Sequence, residues 1–319
     1  SKRESKLIFE GSEKKIEVIV DSSVGDLKSK PEEFWKSIVA KCNAEIISSV
    51  KNDHVHAYLL SESSLFVWDN CFLMITCGQT SLINSLIEVC DQLGRENIVD
   101  VIFQRKNEYF SHMQKSAFYD DVKKVKGLTP SRAWRLGDID GHHNFIFNYS
   151  RDGKWNANDK TFELLMYNLP VEVGEKLRTN GLAAKDVREY LGVESLFNDF
   201  AIDDFSFDPY GYSLNAIKGD LYYTIHLSPE ENGSYVSLET NDHGLKGGQI
   251  IDHFCERLRP KSFDVIKFNW DEDYKQSGIY QLVDSCEQKI ENGLTVKFNQ
   301  FIDTKNINKM SGFLLIDNK

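Results

Sequence analysis

The sequence predicts an α+β fold, with antiparallel β-sheets carrying helices on one face. Three observations predict it. Short runs alternate apolar and polar residues, and two of them meet at a tight Asp69-Asn70 turn. Runs with helical spacing follow the strand pairs. The same succession recurs in the second half of the chain.

The elements follow in order. KKIEVIV (14–20) alternates, with Ile16, Val18 and Val20 on one face and Lys15, Glu17 and Ile19 on the other. LFVW (65–68) and CFLMIT (71–76) read as paired strands. In GQTSLINSLIEVCDQLG, Leu82, Ile83, Leu86, Val89, Cys90 and Leu93 recur at helical spacing; Thr80 or Ser81 can cap the start and Gly94 can end it. NIVDVIFQ (97–104) and GHHNFIFNYS (141–150) read as strands, and TFELLMYNL before Pro170 as a short helix. DLYYTIHLS (220–228), SYVSLETN (234–241), SFDVIKFNW (262–270) and GFLLID (312–317) read as strands, and GGQIIDHFCERLR (247–259) as a helix stopped by Pro260. No low-complexity linker divides the chain, so a single domain over 1–319 is expected, with 1–160 and 161–319 as candidate duplicated halves.

Composition narrows the function. The chain has 319 residues, 41% hydrophobic and 27% charged, which is globular. Its 38 basic and 49 acidic residues give a net charge of −11, which argues against nucleic acid and anionic membranes as partners. No apolar run is long enough to span a bilayer, and the charged start does not read as a signal peptide. Six scattered cysteines read as reduced thiols and a cytoplasmic setting. The eight histidines form no metal-binding pattern, so no metal is expected.

One stretch does not fit a plain strand. YLLSESSLFVW (58–68) is apolar at both ends yet holds Ser61, Glu62, Ser63 and Ser64 in its middle. Such a cluster most often marks a turn or bulge.

The motifs taken together carry more. FEGSEKKIEV (9–18), YLLSESSLF (58–66), TCGQT (76–80), DKTFELLM (159–166), PYGYSLN (209–215), YYTIHLSPE (222–230) and SYVSLETN (234–241) lie in this order. On them the chain resembles the eukaryotic-type, pyruvoyl-dependent S-adenosylmethionine decarboxylase proenzymes. The resemblance implies a four-layer αββα sandwich of two mainly antiparallel sheets with helices on the outer faces. It also implies decarboxylation of S-adenosylmethionine for spermidine biosynthesis. Losing CO2 from an α-amino acid leaves a carbanion, and a carbonyl in Schiff-base linkage to the substrate amine can delocalise it.

The resemblance assigns roles to residues. Cleavage between Glu62 and Ser63 would yield a β chain 1–62 and an α chain 63–319 capped by a covalent pyruvoyl group from Ser63. Ser64 would remain as a structural hydroxyl. Ser213 and His226 match the processing pair, and Cys77 matches the acid that reprotonates the carbanion. A cysteine between a strand and a helix is also commonly a small core residue. Phe9 and Phe207 match the aromatic pair around the adenine, Glu230 a ribose-binding carboxylate, and Glu10 and Leu60 other substrate contacts. Glu17, Asp159, Thr161, Glu163 and Glu239 match an acidic cluster that binds putrescine in some members.

Three positions depart from the family. Ile75 stands where a lysine is expected, Lys15 where putrescine-responsive members are apolar, and Tyr210 where a small cysteine is usual. Lys15 reads either as a substitute for that lysine or the diamine, or as a solvated edge charge. Ile75 and Tyr210 leave a second reading open: an uncut, inactive homologue serving as a binding or regulatory subunit. A homodimer, or a heterodimer with a paralogue, fits either reading.

Overall fold

The structure, a computed structural model, describes residues 11–153, 159–231, 233–272, 274 and 278–305. Its first sheet contains β1 (Lys14–Val20), β2 (Ile46–Lys51), β3 (His56–Leu60), β4 (Ser63–Val67), β5 (Cys71–Thr76), β6 (Ile98–Arg105), β7 (Ser131–Leu136) and β8 (Asn144–Ser150). Its second contains β9 (Thr161–Tyr167), β10 (Ala201–Ser206), β11 (Tyr212–Lys218), β12 (Leu221–Ser228), β13 (Tyr235–Thr240), β14 (Ser262–Phe268), β15 (Tyr280–Lys289) and β16 (Thr295–Asp303). The first runs β2-β3-β4-β5-β1-β6-β8-β7 and the second β10-β11-β12-β13-β9-β14-β16-β15. Adding eight to each label of the first order gives the second. Neighbouring strands pair antiparallel throughout.

The two-residue period of each strand sorts its side chains between two environments. Ile16, Val18 and Val20 pack outward with Trp35, Ile38, Leu82, Leu86 and Val89 of helices α1 (Glu32–Lys41) and α2 (Leu82–Leu93). The shorter α3 (Phe118–Lys124) adds Phe118 and Val122 to the same core. On the second sheet Phe162, Leu164 and Met166 pack with α4 (Val171–Leu177), α5 (Ala184–Leu191) and α6 (Gly247–Leu258). The opposite faces meet each other, giving the order helix, sheet, sheet, helix. Ile102, Ile146, Ile266 and Phe298 fill one part of that interface, and Phe66, Ile75, Ile217 and Tyr222 another. Among the described residues no helix is long and apolar enough to cross a membrane, and no group of three His, Cys, Asp or Glu side chains could hold a metal ion.

Two local expectations are corrected. TFELLMYNL does not form a helix: Thr161–Tyr167 is β9, a central strand of the second sheet. All seven of its residues are buried, so its apolar run carried no solvent-facing alternation. Pro170 instead sits at the N-cap of α4. At α2, Gly94 ends the helix with φ +86° as expected, but neither hydroxyl caps the start. Ser81 occupies the N-cap position without a side-chain bond, and Thr80 donates to Thr76 Oγ1. The strand expected at 312–317 lies outside the described residues.

Candidate active site between the sheets

The unusual stretch resolves into a hairpin. β3 and β4 pair with Leu60 opposite Ser63, leaving Ser61 and Glu62 as the turn. Ser63 has φ +141°, a region that favours glycine and costs another residue about 1–3 kcal/mol. The Glu62 carbonyl accepts a hydrogen bond from the Cys77 amide at 2.9 Å, and the Cys77 thiol lies 3.4 Å from the same oxygen. The strained peptide joining Glu62 to Ser63 is therefore polarised from the side of its carbonyl.

His226, buried on β12, approaches from the second sheet. Its Nε2 lies 2.8 Å from Ser63 Oγ, 2.8 Å from Ser64 Oγ and 3.1 Å from Thr224 Oγ1. Its Nδ1 lies 2.6 Å from Glu13 Oε1. Glu13 also accepts from Lys106 Nζ at 2.7 Å, from Tyr235 OH at 3.3 Å and from Ser237 Oγ. Burial acts to raise the Glu13 pKa, but Lys106 and His226 together hold it far below the usual carboxylate range. An ionised Glu13 fixes the proton of a neutral imidazole on Nδ1 and leaves Nε2 as an acceptor. Ser63, His226 and Glu13 thus form one buried series of hydroxyl, imidazole and carboxylate.

Ser213 on β11 is buried directly across the strand pair from His226. Burial, then the nearby Glu62 and Glu13 carboxylates, push the Cys77 thiol well above its usual pKa, so it keeps its proton at neutral pH. Leu60 places its side chain in the helix-side core. Phe207 follows β10 and borders a cavity of about 360 Å³ shared with Leu177, Ala183, Val187, Tyr210 and Leu227. Leu177, Val187 and Leu227 of its lining belong to the helix-side core of the second sheet. The Tyr210 hydroxyl donates to Glu230 Oε2 at 3.3 Å, so the phenol engages the proposed ribose carboxylate rather than Ser213. Burial, the largest influence, raises the Glu230 pKa. Phe9 and Glu10 lie outside the described residues.

The acidic cluster occupies the same intersheet layer. Lys15 is fully buried, 3.0 Å from Glu163 Oε1 and 2.7 Å from Glu239 Oε1. The solvated-edge reading of Lys15 therefore fails, because β1 is an interior strand flanked by β5 and β6. Its cross-strand partner on β5 is Ile75, the position where a lysine was expected. Lys106 adds a second ammonium, 3.3 Å from Glu163 and 3.6 Å from Glu239. Burial acts to lower the Lys15 pKa, but Glu163, Glu239 and Glu17 outweigh it and hold the ammonium charged. Thr161 is buried at the start of β9.

Glu17 differs from Glu163, where burial acts to raise the pKa but Lys106 and Lys15 together lower it. Desolvation, then Asp159, pushes the Glu17 pKa up to about 8, against the pull of Lys15. The folded state therefore retains a proton that the unfolded chain gives up near pH 4.5. Its contribution to stability falls as pH rises from about 4.5 to 8, by at most about 1.4 kcal/mol per unit. Glu17→Gln is expected to flatten that slope, read by urea unfolding at intervals between pH 5 and 8. An unchanged slope contradicts the assignment.

Sequence reasoning missed Glu13, Lys106, Asn215 and Ser237. The alternation of KKIEVIV, extended backward, would have put Glu13 on the face of Lys15 and Glu17. The same step places Lys106 with Gln104, and Asn215 with Ser213.

Comparison with known proteins agrees with this geometry. Residues 6–310 match the family model described as adenosylmethionine decarboxylase. An S-adenosylmethionine decarboxylase proenzyme from Dictyostelium discoideum is 33% identical over 280 residues, covering 80% of this chain and 73% of the relative. One from Xenopus laevis is 31% identical over 314 residues, covering 92% of each. The solved structure of a Trypanosoma brucei AdoMetDC-delta26 monomer superposes with a TM-score of 0.60 at 24% identity, over 75% of this chain and 98% of that one. At that identity it supports the fold alone.

Proposed function

Because the chain belongs to the adenosylmethionine decarboxylase family, we propose that it is a proenzyme that cuts itself after Glu62 and decarboxylates S-adenosylmethionine. Its product would be the aminopropyl donor for spermidine. The carrying observation is the 2.8 Å contact of Ser63 Oγ with His226 Nε2, beside a carbonyl held by Cys77.

Ser63 Oγ gives its proton to His226 Nε2 and bonds to the Glu62 carbonyl carbon. The Cys77 amide and thiol face the oxygen that becomes negative. The Glu62 C–N bond then breaks, and the proton on Nε2 passes to the released nitrogen, leaving an ester. Loss of the Ser63 α-proton expels Glu62 as a carboxylate and ends the β chain. Water then replaces the nitrogen of the resulting dehydroalanine, releasing ammonia and leaving a pyruvoyl group on residue 63.

The residues present fit that group. Residue 63 touches His226 and follows the carbonyl held by Cys77, and its strained φ is relieved once its α-carbon becomes trigonal. The pyruvoyl carbonyl supplies the electron sink for the pair left when CO2 departs. The protonated Cys77 thiol is placed to return a proton to the substrate carbon. Phe207 and Glu230 offer an aromatic face and a carboxylate to the nucleoside. Lys15 and Lys106 neutralise acids that elsewhere in the family hold putrescine. We assign the chain a single domain of duplicated halves, 1–160 and 161–319, on the support of the repeated strand order.

Release of CO2 from carboxyl-labelled S-adenosylmethionine tests the activity. Cys77→Ala should slow self-cleavage by no more than about tenfold, because the main-chain amide stays, yet slow decarboxylation about 10²-fold or more. Equal losses in the two steps would remove Cys77 from its role as proton donor. One observation favours the second reading, an uncut regulatory homologue: Tyr210 OH occupies Glu230. That reading predicts no CO2 release and an unbroken chain.

A further inference from the structure

Three hydroxyls surround one acceptor at the centre of the site. Ser63, Ser64 and Thr224 all lie within 3.1 Å of His226 Nε2, and a neutral imidazole has one lone pair there. A base shared among three donors is available to Ser63 only part of the time. Asn215 removes the competition. Its Oδ1 lies 2.6 Å from Ser64 Oγ and 3.1 Å from Thr224 Oγ1, and a carboxamide oxygen has two lone pairs, one for each hydroxyl. Its Nδ2 donates to the Tyr58 carbonyl at 2.9 Å, which fixes the amide with oxygen toward the hydroxyls. Asn215 is fully buried, on the face of β11 that carries Ser213.

We propose that Asn215 is a positioning residue for self-cleavage: by taking the protons of Ser64 and Thr224 it reserves His226 Nε2 for the Ser63 hydroxyl. It also explains how the second serine of the Glu62-Ser63-Ser64 stretch escapes reaction. Ser64 touches the same base but spends its proton on the amide. This inference rests on the self-cleavage reading above.

The test follows cleavage of newly synthesised full-length chain with time in a cell-free system, on denaturing gels. Asn215→Leu frees both hydroxyls to turn on His226 and should slow cleavage about three- to tenfold. Adding Ser64→Ala and Thr224→Val to that variant removes the competitors and should restore most of the lost rate. A merely structural role predicts the opposite, with the triple variant slower than Asn215→Leu alone. If Asn215→Leu does not fold, Asn215→Ala carries the same comparison with less bulk to mispack. A triple variant no faster than the single one, or a single variant at the wild-type rate, overturns the proposal while self-cleavage stands. A wild-type chain that never cuts overturns the self-cleavage reading and this inference with it.

Discussion

Replacing Ser63 with alanine should leave the chain whole and abolish decarboxylation, with the fold intact. The substitution removes only the hydroxyl, whose oxygen in the proposed mechanism bonds to the Glu62 carbonyl carbon. No neighbouring group replaces it. Ser64 touches His226 as well, but it lies one residue past the strained peptide and its proton goes to Asn215. Ser63→Gly should be equally inactive, and the two variants together measure the strain. In an ordinary strand glycine is less stable than alanine by roughly 0.5–1 kcal/mol. At φ +141° the order should reverse, with glycine more stable by about 1–2 kcal/mol in urea unfolding of the uncut chains. Alanine as the more stable variant would mean that the turn stores no useful strain. Cleavage in either variant would mean that a different atom attacks.

Lys15→Leu should be the most damaging substitution away from the hairpin. It leaves Glu163 and Glu239 facing each other with Lys106 as the remaining close ammonium, itself bound to Glu13. Removing one partner from a buried ion cluster costs about 3–5 kcal/mol, because the remaining charge has no water to return to. A diamine supplied in solution can replace the lost ammonium. Putrescine should therefore raise the unfolding midpoint of Lys15→Leu and bind it measurably by calorimetry, while wild type responds weakly. Equal binding to both would show that Lys15 does not stand in for the diamine. Lys15 lies directly opposite Ile75, so its ammonium enters the intersheet layer one strand over from that position.

The sequence exposed local features and concealed the long-range ones. Alternation in KKIEVIV separated Ile16, Val18 and Val20 from Lys15 and Glu17, and the structure sends the first set to the helices and the second to the other sheet. The three serines and Glu62 in YLLSESSLF marked a break, which proved to hold the two-residue turn before Ser63. β9 was misread because a strand covered on both faces loses its two-residue signature. The partners of the charged residues were beyond reach for a different reason. Lys15 meets Glu239 across 224 positions and Glu13 meets His226 across 213, and no local pattern encodes such a meeting. Glu13 lay inside a motif already singled out, yet its role as the carboxylate behind His226 appears only when the two sheets are stacked.

The central claim is that the peptide between Glu62 and Ser63 rearranges and breaks. Denaturing mass spectrometry of freshly purified protein tests it most directly. The account predicts two fragments divided after Glu62, the larger one blocked at its N-terminus by a carbonyl that reacts with hydrazine. A single unbroken mass carrying an ordinary serine at residue 63 would contradict it.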